Sequence, residues 1–253
     1  MAGHSKWANI KHKKAKTDAQ KGKIFTKFSR EIIVAVKIGG PDPAANFKLK
    51  TAITAAKAAG LPNDNIKRSI EKASGSGADG QLESINYEGY GPGGIAIIIE
   101  ALTDNRNRTA GDIRSYFNKN NGNLGETGCV SWMFDTIGII VVDKESVTEE
   151  DALLELSLRA GADDFEYDDD IEDYKITTSP ENLQVVTETI ETENFIIKSS
   201  DVEKIPQNTV EVTDKDTAKY LLRLLDSIEN HEDVQNVYAN FEMDDALIEA
   251  VSV

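Results

Sequence analysis

The stretch Ser74-Gly75-Ser76-Gly77-Ala78-Asp79-Gly80 does most to limit how this chain can fold. It is small and polar, the composition of a linker, and the hydrophobic period differs on its two sides. Before it, every periodic segment reads as helix. Ile24, Phe25, Phe28, Ile32 and Val36 keep one face apolar until Gly39-Gly40-Pro41 ends the run. Asp42 reads as an N-cap with Pro43 at the first helical position, and Leu49, Ile53 and Ala56 continue the stripe to Gly60. A shorter helix after Pro62 turns Ile66, Ile70 and Ala73 inward.

Beyond the linker the pattern is α+β. Leu82 to Glu88 and Ile95 to Leu102 read as strands around a Gly-rich turn, and Thr109-Ala110-Gly111-Asp112 resembles a capping box for a helix carrying Ile113, Tyr116 and Phe117. Ile137 to Val142 is a strand. Thr148 then caps a helix with Ala152, Leu153, Leu156 and Ala160 inward, ended by Gly161. Two strands flank Asp168-Asp169-Asp170, Ser179-Pro180 opens a helix with Leu183, Val186 and Ile190 inward, and Phe195 to Val202 is a further strand. That order, β-α-β-β-α-β, is the ferredoxin-like unit. Thr209 to Val212, a periodic helix with Ala218, Leu221, Leu222, Leu225 and Ile228, and Val234 to Phe241 follow, and the nearest sheet short of strands precedes Ile137. The expected fold is therefore multidomain α and α+β. It comprises an N-terminal small helical bundle (1–76), a discontinuous α+β middle domain (77–134 plus 205–253), and an acidic ferredoxin-like βαββαβ domain (135–204) inserted into the latter.

Across 253 residues, 28 Lys and Arg face 44 Asp and Glu, a formal charge of −16 that, as one number, argues against a polyanion partner. The linker divides it. Residues 1–75 hold 16 basic and 5 acidic side chains, net +11, and the remainder carries −27. Lys6, Lys11, Lys13, Lys14, Lys16, Lys21, Lys23, Lys27 and Arg30 are opposed over the first 30 residues only by Asp18. Phosphate contact needs many cations and little angular precision. Trp7 and His12 are candidates for stacking on bases, whereas Phe25 and Phe28 lie on the apolar stripe and read as core. The alternative is a solvated basic face.

A second candidate is Thr103-Asp104-Asn105-Arg106-Asn107-Arg108-Thr109, where Asn105, Arg106, Asn107 and Arg108 join a strand to a helix N-terminus and form an anion site. The competing reading pairs Arg106 and Arg108 with nearby carboxylates. Gly89-Tyr90-Gly91-Pro92-Gly93-Gly94 contains a literal G-x-G-x-x-G, but Ile95-Ala96-Ile97-Ile98-Ile99 after it is a strand, not the helix that would hold a pyrophosphate. A tight turn or protein-contact loop is the expectation.

Chemistry beyond binding is poorly supplied. His4, His12, His231 and Cys129 make neither a C-x-x-C nor an H-E-x-x-H, and Cys129 falls beside Val130, Trp132 and Met133, as a buried thiol would. Eight acids between Asp163 and Asp173 lack the glycine of a calcium loop and read as a solvated hairpin edge. No catalytic residue, metal site or cofactor is expected. One cysteine suits a reducing compartment, and no run of 18 apolar residues or leader-like start is seen, so the expectation is a cytoplasmic protein without membrane contact.

Met1-Ala2-Gly3-His4-Ser5-Lys6-Trp7-Ala8-Asn9-Ile10-Lys11-His12-Lys13-Lys14, Lys21-Gly22-Lys23-Ile24-Phe25-Thr26-Lys27, Tyr87-Glu88-Gly89-Tyr90-Gly91-Pro92-Gly93-Gly94, Thr103 to Thr109 and Gly122-Asn123-Leu124-Gly125 together resemble the YebC/PmpR family, to about Tyr238. Lys13 stands where many members have Arg, which keeps the charge but loses the planar fork. The resemblance implies the same three-domain fold and a non-enzymatic role in gene expression. Members are described as DNA-binding transcriptional regulators and as translation factors at the ribosome, acting on proline-rich stretches that stall peptide bond formation.

The expected partner is thus DNA or ribosomal RNA, the latter at the ribosome, with the Tyr87 to Gly94 loop or Arg106 and Arg108 approaching its functional centre. No helix-turn-helix signature is present, which favours RNA recognised by shape. Alternatives are a sequence-specific DNA-binding regulator and a protein adaptor acting through the acidic domain. Nothing in the sequence sets the oligomeric state.

Overall fold

The computed structural model describes residues 18–75 and 82–251. Among these, one compact unit holds 18–27, 82–135 and 205–251, and the other holds 28–75 and 136–204. The result is a multidomain α+β protein of eight α-helices and three β-sheets among the described residues.

The first unit is organised by a sheet of order β3-β1-β2-β9, from β1 (Glu83–Tyr90), β2 (Ala96–Thr103), β3 (Asn123–Leu124) and β9 (Val234–Ala239). The apolar run Ala96–Ile99 that opens β2 suits burial on both faces. Ile97 and Ile99, with Ile95 just before the strand, pack on Ile113 and Phe117 of α4 (Arg106–Lys119) and on Leu221, Leu225 and Ile228 of α7 (Lys215–Glu229). Ala96 and Ile98 face the other way, onto Val130 and Phe134. β1 pairs antiparallel with β2 from Glu83↔Thr103 to Tyr90↔Ala96, and β9 pairs along its other edge with a bulge at Glu100/Ala101.

Two expectations change here. Thr209 to Val212 does not complete this sheet: β8 (Val210–Val212) pairs in parallel with β10 (Phe241–Met243) as a separate two-stranded sheet. Asn240 breaks the expected single strand Val234 to Phe241, because its side-chain oxygen accepts from the Ala96 N–H at 2.7 Å and holds the chain at that corner. A closing helix, α8 (Asp245–Val251), lacked a strong enough period to be foreseen.

In the second unit, α1 (Asp18–Gly39), whose residues from Phe28 on belong here, precedes α2 (Phe47–Ala58) and α3 (Asn63–Ser74). The chain turns at Asp42 without starting a helix, and Asn46 is the N-cap of α2, accepting from the Leu49 N–H at 3.1 Å. Asn46 is preferred because its amide also donates to the Ala35 and Gly40 carbonyls at the end of α1, joining both helices through one buried side chain. The remaining elements are β4 (Phe134–Val142), α5 (Glu150–Ala160), β5 (Asp164–Asp168), β6 (Asp173–Thr178), α6 (Leu183–Thr192) and β7 (Ile197–Pro206), with sheet order β5-β6-β4-β7. Glu149, not Thr148, occupies the N-cap of α5, without a side-chain hydrogen bond, while Gly161 closes it with φ at 106°. The acidic hairpin is only partly solvated. Asp168 and Asp173 are buried, and Asp173 accepts both from Lys198 Nζ at 2.8 Å and from the Lys144 N–H at 3.1 Å.

Asp201 on β7 is partly buried in the field of Glu31, Glu203 and Lys48. Burial pushes its carboxyl up to about 7, with Glu31 and Glu203 adding to the rise and Lys48 opposing it. A proton held more tightly in the folded than in the unfolded chain stabilises fully below the unfolded pKa and is lost as pH rises through the folded one. Stability measured by chemical denaturation should therefore fall from about pH 4 to about pH 7, by at most about 4 kcal/mol. Asp201→Asn should flatten that slope.

Candidate nucleic-acid interface

Of the basic-segment candidates, Lys6, Trp7, Lys11, His12, Lys13, Lys14 and Lys16 lie outside the described residues, as does the side chain of Lys21. Lys23 is exposed on α1, while Lys27 and Arg30 are partly buried. Lys27 Nζ donates to the Glu229 carbonyl at 2.9 Å, at the C-terminus of α7 where the helix dipole favours a cation.

The junction of β2 and α4 is built around Asp233, which is 1 % exposed. The Thr109 hydroxyl donates to its Oδ2 at 2.6 Å and the Thr103 hydroxyl lies 3.1 Å from the same oxygen. Arg108 Nη2 bridges Asp233 Oδ2 at 3.0 Å and Asp104 Oδ1 at 2.7 Å. The Leu102 N–H donates to the Asp233 carbonyl at 2.7 Å, and the Asp233 N–H donates to His231 Nδ1 at 3.1 Å. One carboxylate thus ties the end of β2, the first turn of α4 and the α7–β9 corner together.

This geometry displaces the capping box. Asn105 is the N-cap, accepting from the Arg108 N–H at 3.1 Å, and Thr109 sits one turn inside α4, fully buried. Of the four residues read as an anion site, Asn105 and Arg108 make internal contacts, whereas Arg106 and Asn107 stand exposed at the helix start. Asp233 escaped the sequence reading. Its only signal was a position just ahead of the apolar strand Val234-Gln235-Asn236-Val237.

The Tyr87 to Gly94 segment is anchored at Glu88 and open at its tip. Glu88 is 4 % exposed, and its carboxylate accepts the N–H groups of Gly128, Val130 and Ser131 at 2.8–2.9 Å. Burial pushes its pKa up, but the three backbone donors outweigh that and hold it below the ordinary carboxylate value. At Gly89 any Cβ would come within 2.6 Å of the Asn123 carbonyl, so the β1–β3 pairing requires glycine there. Pro92 is buried; Gly93 and Gly94 are exposed with φ of 72° and 77°. Tyr87 donates to the Arg106 carbonyl at 3.4 Å. The Tyr90 hydroxyl and the Trp132 indole N–H both reach the Cys129 carbonyl at 3.1 Å, leaving Trp132 66 % exposed. Burial, then the Glu88 charge, pushes the Cys129 thiol up, which disfavours a thiolate nucleophile. Among the described residues no group of three or more His, Cys, Asp or Glu could hold a metal ion.

Three substitutions test these carboxylates and their partner. Asp233→Ala should cost about 3–5 kcal/mol, because it strands buried hydroxyls and a guanidinium, whereas Arg108→Ala, on the half-exposed side of the pair, should cost about 1 kcal/mol or less. Glu88→Gln should cost about 1.5–3 kcal/mol by turning an amide NH2 toward backbone donors. All three are read by urea denaturation followed by circular dichroism.

Residues 5–76 match the family model described as the TACO1/YebC protein N-terminal domain, and residues 82–241 match the TACO1/YebC second and third domain. A probable transcriptional regulatory protein of Trichormus variabilis is 56 % identical over 250 residues, covering 98 % of each chain. A similarly named protein of Gloeothece citriformis is 54 % identical over 252 residues, again covering 98 % of both. The crystal structure of a conserved hypothetical protein from Aquifex aeolicus superposes with a TM-score of 0.80 at 44 % identity, covering 91 % of this chain and 94 % of that one. With nearly its whole length matched in this way, the chain belongs to the TACO1/YebC family.

Proposed function

We propose that the chain is a non-enzymatic, cytoplasmic regulator of gene expression that binds nucleic acid through its basic N-terminal part and acts as a translation factor in contact with ribosomal RNA. The observation that carries this reading is the charge division, +11 over residues 1–75 against −27 beyond. Cations concentrated at one end of an acidic molecule direct that end to phosphates and keep the rest off them. Three domains are expected, a basic one at 1–76 and two acidic ones at 77–134 plus 205–253 and at 135–204. The strand order β5-β6-β4-β7 supports reading the last as a ferredoxin-like insertion. No helix among the described residues is long and apolar enough to cross a membrane, which is compatible with work in the cytoplasm.

The relatives' printed name favours a second reading, DNA-bound transcriptional regulation. Crosslinking in cells with sequencing of bound RNA and bound DNA separates the two: ribosomal RNA at one locus supports translation, discrete promoter sites support transcription. In vitro, contact with about 6 to 10 phosphates predicts that affinity falls roughly 10³–10⁵-fold between 50 and 200 mM salt. Replacing Lys11, Lys13 and Lys14 by Glu should remove most of that dependence, and a flat salt response in the unaltered protein would refute phosphate binding.

A further inference from the structure

The helix α4 turns a second, uncommitted face outward. Thr109, Ile113 and Phe117 are buried on its inner side, and Asn107, Gly111, Arg114 and Asn118, at spacings of four, three and four, are exposed on the other. Arg106 and Lys119, also exposed, lie at its two ends. The nearest carboxylates on this element are engaged elsewhere, Asp104 with Arg108 and Asp112 with His231. Among the described residues no ion pair reaches Arg106, Arg114 or Lys119.

Gly111 is an independent observation. It is helical, and a Cβ there would meet nothing within 4 Å, so no contact inside the protein calls for glycine. Glycine in mid-helix is nonetheless less stable than alanine. A residue that weakens its own helix without easing any internal contact fits a place where an outside backbone approaches closely.

We propose that this face of α4 lies along the minor groove of double-stranded RNA. Arg114 and, at the C-terminal end, Lys119 meet phosphates, Asn107 and Asn118 meet 2′-hydroxyls, and Gly111 is the point of closest approach. The surplus of cations selects a phosphodiester backbone. The packing selects RNA: α4 lies beside α7 in a single layer on the sheet and does not project, as a helix must to enter a B-DNA major groove about 8.5 Å deep. The A-form minor groove is wide and shallow, and its 2′-hydroxyls both donate to and accept from an amide. The inference rests on the nucleic-acid reading above and adds a second contact surface to it.

Fluorescence anisotropy of the full-length protein with an RNA duplex of about 20 base pairs, and with the DNA duplex of the same sequence, tests the proposal between 50 and 200 mM salt. RNA should be preferred. Arg114→Ala should weaken RNA binding several-fold and reduce the salt slope by about one. Gly111→Ala should raise the melting temperature yet weaken RNA binding, and Gly111→Leu should weaken it further in a folded protein, as checked by circular dichroism. Unchanged RNA affinity in both Arg114→Ala and Gly111→Leu, or DNA bound as tightly as RNA, overturns the proposal. If Lys11, Lys13 and Lys14 to Glu abolishes RNA binding while the α4 variants retain it, the proposal fails and the nucleic-acid reading stands. Absence of binding to either duplex by the unaltered protein overturns both.

Discussion

Burial of β2 on both faces is the constraint from which the first unit follows. A strand with Ile97 and Ile99 on one side and Ala96 and Ile98 on the other cannot leave either side to water. The helices α4 and α7 cover the first. No α-helix covers the second; the turn segment carrying Val130, together with Phe134 at the start of β4, does. Irregular backbone at a buried surface exposes N–H groups that no ladder satisfies, and each left unpaired would cost as much as a lost hydrogen bond. The Glu88 carboxylate meets three of them, so burial of the isoleucine run of β2 depends on an acid one strand away.

Buried acids recur as organisers. Asp233 serves the β2–α4 junction as Glu88 serves the 125–134 segment, and Asp173 joins Lys198 and the Lys144 N–H in the other unit. Part of the −27 carried beyond residue 75 is therefore spent internally, as acceptors for backbone and hydroxyl donors, and does not describe the protein's surface. Net charge reports on partners only after such groups are set aside. On α4 the same accounting leaves a cationic helix face in the acidic part of the chain.

The alternation of helix and strand was legible because each element has a strong period: Leu183, Val186 and Ile190, or Leu221, Leu225 and Ile228, are buried as their spacing predicts. Helix starts were not. Asp42, Thr109 and Thr148 each carry the right side chain for a cap, yet Asn46, Asn105 and Glu149 hold those positions, since the cap is settled by where the neighbouring turn or strand ends. Burial of Asp233 was equally hidden, because its partners Thr103, Arg108 and Thr109 lie more than a hundred residues away in sequence. The Gly89 to Gly94 motif was readable as a turn from the strand that follows it, but the reason for Gly89 is a carbonyl contributed by β3.

The indole of Trp132 is held by its N–H on the Cys129 carbonyl while its rings remain in solvent, on the segment that Glu88 anchors. Only one other tryptophan, Trp7, exists, and it lies in the basic segment. The protein consequently carries two indole fluorophores, one in each oppositely charged part of the chain. With Trp7 replaced by Phe, emission from a single indole follows the state of the Glu88 latch without any attached dye.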